Sequence, residues 1–95
     1  MEIRIEDRVL LPDGVLVREL DGEAVLLNLD TETYHGLDGV GTRMWTLLTS
    51  QPTIAAALAV LEQEYDVAPE ILQRDVLNLV ATLAEHKLVV VESSG

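Results

Sequence analysis

Apolar residues alternate with polar ones up to Leu37 and then recur every three or four positions from Val40 onward, so the chain switches from strand-forming to helix-forming character at Asp38. Strands therefore come first and helices afterwards. That order predicts an α+β fold, in which a sheet and a group of helices each bury one apolar face against the other. A chain of 95 residues has room for one such domain, spanning 1–95, with one core. Tyr34, Trp45 and Tyr65 are its only Tyr or Trp residues and Phe is absent, so the core must be built from Leu, Val, Ile and Ala.

Val15 to Leu20 and Ala24 to Leu29 read as strands separated by Asp21-Gly22-Glu23, and Asp-Gly between apolar runs signals a hairpin. A second turn at Asp30-Thr31-Glu32 leads to a third strand, Thr33 to Leu37. The three form an antiparallel meander with Ala24 to Leu29 in the centre and the third strand at an edge. Ile3 and Ile5, alternating with charged neighbours, are expected to pair with the other edge, before a turn at Pro12-Asp13-Gly14. Asp38 can cap a first helix ending near Ser50, with Val40, Met44, Trp45 and Leu48 on one face. Thr53 caps a second, carrying Ile54, Leu58, Leu61 and Tyr65. Pro69 fits the first position of a third, whose stripe of Leu72, Val76, Leu79, Val80 and Leu83 runs up to His86. Leu88 to Val91 then forms a short terminal strand or packed tail, and Ser93-Ser94-Gly95 a frayed end. The parts are those of a winged helix-turn-helix: a three-stranded antiparallel sheet followed by a three-helix bundle.

Seventeen acidic residues against six basic ones give a net charge of −11, which repels a phosphate backbone and anionic lipid. Neither nucleic acid nor membrane is an expected partner. No apolar run approaches the roughly 18 residues of a membrane span, and Met1 to Glu6 carry no signal-like pattern, so a cytoplasmic location is expected. The absence of cysteine excludes disulfides, thiolate metal sites and thiol nucleophiles. His35 and His86 stand far apart in sequence without ligand-like spacing, so no metal is expected. Gly39 and Gly41 lack the third glycine and the lysine of a phosphate loop, and no other cofactor signature is present. Scattered carboxylates offer no matched base or nucleophile. The pattern points to a binding module rather than an enzyme.

Several segments occur in a telling order: Val25-Leu26-Leu27-Asn28-Leu29-Asp30, then Tyr34-His35-Gly36-Leu37-Asp38, then Gly41 with Met44-Trp45 and Leu47-Leu48, then Asp66-Val67 and Asp75-Val76. Together they resemble the PqqD-like recognition elements of ribosomally made, modified peptides. The stretch from Tyr34 to Trp45 is most similar to the stand-alone leader-binding proteins of lasso peptide biosynthesis. Ala68 departs from the pattern, standing where a capping Asp is expected before Pro69. The resemblance implies that the leader of a precursor peptide lies as an extra strand beside the third strand, with side chains dropping into a groove against the third helix. It also implies a Tyr, a Pro and a Leu at short intervals in that leader, and a separate leader peptidase and a cyclase as further partners.

An exposed edge strand has unpaired backbone donors and acceptors that an added peptide satisfies. Alternation sends Thr33, His35 and Leu37 to one side and Tyr34 and Gly36 to the other; Leu37 is inward because a helix follows it, so His35 looks toward the groove. On the third helix, Ile71 and Asp75 occupy one shoulder of the buried stripe, and Leu77, on the other, replaces Ile71 if the helix is turned the opposite way. The expected peptide contacts are Leu27, Leu29, Thr33, Tyr34, His35, Gly36, Leu37, Ile71, Asp75, Val76 and Leu79. Trp45 is expected in the core and Asp38 as a helix cap. Two other readings compete. A winged-helix DNA-binding regulator needs a basic recognition helix, yet Pro69 to Lys87 holds only Arg74 and Lys87 as basic residues. A small dimerising adaptor would pair the edge strand with its own copy, whereas the leader-binding reading expects a free monomer.

Overall fold

The computed structural model describes residues 2–93. In chain order the elements are β1 (Arg8–Leu10), β2 (Val15–Leu20), β3 (Glu23–Asn28), β4 (Thr33–Gly36), α1 (Gly39–Ser50), α2 (Ile54–Glu64), α3 (Pro69–Glu85) and β5 (Val90–Glu92). Strands β2, β3 and β4 form the expected antiparallel meander with β3 in the centre. The fold is α+β. The β2–β3 hairpin is tighter than anticipated: Leu20 pairs with Glu23, leaving Asp21 and Gly22 as the turn. Both have positive φ, 55° and 80°, as the favoured two-residue hairpin turn requires.

Asn28 organises the second turn. Its side-chain oxygen accepts from the N–H of Asp30 (2.8 Å) and of Thr31 (3.1 Å), while its amide nitrogen donates to the Lys87 carbonyl (2.6 Å). One side chain therefore shapes the β3–β4 turn and ties it to the chain just beyond α3. The same turn ends β3 at Asn28, so Leu29 lies outside the strand that the sequence assigned to it; its N–H donates instead to the Gly14 carbonyl (2.9 Å).

The helices begin where the capping chemistry placed them. Asp38 accepts from the Gly41 N–H (2.7 Å) and Thr53 from the Ala56 N–H (3.1 Å), whereas α3 starts on Pro69 with no side-chain cap at Ala68. Thr42 fastens α1 to the sheet, its hydroxyl accepting from the Ala24 N–H at 2.8 Å. Ala24, Leu26 and Leu37 from the sheet share a core with Leu48, Ile54 and Leu61 from α1 and α2 and with Leu72, Val76, Val80 and Leu83 from α3. Each such aliphatic side chain contributes roughly 1.5–3 kcal/mol on burial.

Two further expectations are corrected. Ile3 and Ile5 form no strand: a turn closes over Arg4–Asp7, with the Arg4 N–H on the Asp7 carboxylate (2.9 Å) and the Asp7 N–H on the Arg4 carbonyl (2.9 Å). The carbonyls of Ile5 and Asp7 then accept from Ala55 and Ile54, satisfying free N–H groups in the first turn of α2. The partner of the terminal strand β5 is β1, in a separate two-stranded antiparallel ribbon. Finally, Val40 is exposed in the first turn of α1, and Thr42 and Leu47 join Met44 and Leu48 on the buried face. The tail expected at Ser93-Ser94-Gly95 falls outside the described residues at Ser94 and Gly95.

Candidate functional site

Strand β4 has β3 on one side and no strand on the other. The Leu37 N–H donates to the Ala24 carbonyl at 2.7 Å, which sets the phase of the β3–β4 ladder. In an antiparallel pair, alternate residues direct both backbone groups at the partner strand. His35, two residues from Leu37 and opposite Leu26, therefore directs its N–H and C=O toward β3. Tyr34 and Gly36 direct theirs outward, along the free edge.

Side chains follow the alternation read from the sequence. Leu37 is buried, Thr33 and His35 are half-buried on the core side, and Tyr34 and Gly36 are exposed on the outer face. Leu16, Leu27 and Tyr34 stand opposite one another across that outer face, with Arg18, Val25 and Gly36 in the next row. Leu27 is thus a neighbour of Tyr34, not of the helices. Leu29, in the turn, is exposed.

The opposite wall is α3, and a ring contact shows which of its shoulders faces β4. His86, immediately after α3, stacks on His35 with ring centroids 6.2 Å apart and an interplanar angle of 27°. At about 100° per residue, Asp75, Leu79, Thr82 and His86 fall within about 60° of one another. The shoulder turned toward β4 is therefore that of Asp75 and Leu79, with Ile71 at its outer rim. Leu77 points the other way, on the side where Ile3, Ala81 and Ala84 line a common cleft. Ile71 and Asp75 are exposed and Leu79 is half-buried, but Val76 has no exposed surface. Val76 supports the wall from inside the core and is corrected as a direct contact.

Helix geometry and the ring contact thus place Thr33 and His35, and Asp75 and Leu79, on the sides of β4 and α3 that face each other, while Tyr34 and Gly36 lie on the outer face of the sheet. His86 stands at one end of that space and was not anticipated. Its signal was present in the spacing of four, three and four that links it to Asp75, Leu79 and Thr82. Trp45 packs against the core as expected, with its indole N–H buried and unpartnered.

Between α1 and α2, Glu64 accepts from Arg43 (Nε to Oε1, 2.9 Å). That hydrogen bond lowers the Glu64 carboxyl below its ordinary value and raises the Arg43 guanidinium. Asp75 makes only a long contact to Arg74, 3.5 Å. Among the described residues no three acidic or imidazole side chains are grouped to hold a metal, and no helix is long and apolar enough to cross a membrane. A cleft of about 390 Å³ between the Pro12-Asp13 turn, Asn28, Lys87 and β5 includes neither His35 nor the Asp75 to Leu79 shoulder.

Residues 23–89 match the family described as coenzyme PQQ synthesis protein D (PqqD). No curated protein matches the chain. Among solved structures, TbiB1 in complex with the TbiA(beta) leader peptide is similar with a TM-score of 0.77 and 35% identity, covering 83% of this chain and 92% of that one. A lasso peptide synthetase B1 complexed with the leader peptide is similar with a TM-score of 0.77 and 26% identity, covering 90% of this chain and 98% of the other.

Proposed function

The chain belongs to the PqqD family, and we propose that it binds the leader of a ribosomally made precursor peptide in lasso peptide biosynthesis. The leader adds as a strand to β4, bonding to the outward backbone groups of Tyr34 and Gly36. Its side chains alternate between the α3 groove and the outer face. The observation that carries this reading is the open β4 edge beside the Asp75 to Leu79 shoulder of α3. Two similar structures, both leader complexes by description, support it.

Binding is the whole of the activity. The module orders an otherwise unstructured leader and hands it, in the cytoplasm, to a separate leader peptidase, with a cyclase acting on the trimmed product. An outer face carrying Leu16, Val25, Leu27 and Tyr34, with only Arg18 and Glu23 charged among its paired residues, supports the transfer: it adjoins the bound leader and suits contact with another protein. Ordering the leader offsets part of the contact energy, so affinity falls between micromolar and nanomolar.

Fluorescence anisotropy with a labelled peptide carrying Tyr-x-x-Pro-x-Leu tests this, alongside a scrambled peptide and a DNA duplex. Saturable one-to-one binding of the leader sequence alone is the expected result. Binding to the duplex instead would favour a winged-helix regulator, and binding to neither would remove the lasso leader as the ligand.

A further inference from the structure

At one end of α3 the sheet and the chain just beyond the helix meet through a pair of imidazoles and an amide. His35 projects from the core side of β4, His86 stands at the end of α3, and their rings stack at 6.2 Å. One residue further on, the Lys87 carbonyl accepts from Asn28, directly across the ladder from Thr33. Lys87 itself has a φ of 59°, so the chain turns sharply there and leaves His86 as the last side chain of the α3 shoulder. The opposite end of α3 has no side-chain cap, and Ile71 and Asp75 are exposed. The groove is thus pinned where His86 lies, and the ring stack sets its width there.

We infer that His86 is a positioning residue of the leader site: its ring holds His35 from across the groove, so that the leader side chain opposite His35 meets a fixed aromatic floor. This rests on the leader-binding reading of β4. His86 is itself exposed, so its ring adds little to the core, and its effect is on groove geometry.

The test titrates the labelled Tyr-x-x-Pro-x-Leu peptide against the full chain, His86→Ala and His86→Phe at pH 7.5, with thermal melting of each protein. His86→Ala is expected to weaken binding about two- to tenfold at pH 7.5, the range of an aromatic pair. Its melting temperature should stay within about 3 °C, as for a surface change. His86→Phe restores the stack, binding within about twofold of the unmodified chain. Unchanged binding by His86→Ala, or a His86→Phe variant as weak as the alanine one, overturns the inference. Failure of the unmodified chain to bind the peptide overturns the leader-binding reading on which it rests.

Discussion

A Cβ added at Gly36 meets no atom within 4 Å, so this edge position has room for a side chain. Gly36 directs its N–H outward and His35 directs its own toward β3, so proline at the two positions should have opposite consequences. Gly36→Pro removes a donor used only by the leader: affinity in the anisotropy assay should fall about tenfold while urea unfolding stays near that of the unmodified chain. His35→Pro breaks the β3–β4 ladder and should cost about 1–3 kcal/mol of stability in the same unfolding experiment. Greater loss of stability in Gly36→Pro than in His35→Pro would mean that the ladder phase is reversed. Hydropathy alternation was enough to read that Leu37 turns inward and that His35 therefore faces the helical side. It could not give the phase of the backbone bonds, which depends on the pairing of β4 with β3. Nor could it join His35 to His86, since nothing local links residues so far apart in sequence.

Among the elements, those legible in the sequence were the ones with their own punctuation. Asp21-Gly22 marked the hairpin, Asp38 and Thr53 supplied caps, and Pro69 opened α3. The N-terminal segment was misread because Ile3 and Ile5 alternate like strand residues, although their backbone serves a turn and the start of α2. The short β1 lacked enough residues to show a period, and its partner β5 lies at the other end of the chain. Helices α1 and α2 are also joined by Arg43 and Glu64, and this pair has a pH signature. The folded Glu64 carboxyl lies below its unfolded value because Arg43 hydrogen-bonds it. Its contribution is therefore present above the ordinary glutamate range and is lost as pH falls through the lowered folded value. Glu64→Gln should lower the melting temperature at pH 7 by no more than about 4 °C, given the exposure of the pair. The difference should shrink as pH falls below the ordinary glutamate range; a difference that grows on acidification would contradict the assignment.

For the whole molecule, charge and shape divide the surface by task. A net charge of −11 repels a phosphate backbone. The outer face of the meander is nearly free of that charge, and the β4 edge runs along it. On the proposed reading a leader bound at this edge would lie between α3 and the apolar face, within reach of a partner enzyme. The sequence disclosed the sheet, the edge and the binding class because each follows from periodicity and composition. The width of the groove and the shoulder of α3 that lines it depend on how α3 is rotated over the sheet, which many core contacts fix together. The account's central claim is strand addition at β4, and residue-resolved amide hydrogen exchange with and without leader peptide tests it most directly. The amide of His35, already bonded to β3, should be protected in both states, whereas those of Tyr34 and Gly36 should exchange freely alone and become protected with the leader bound. Leader binding that leaves Tyr34 and Gly36 unprotected while protecting amides elsewhere would contradict it.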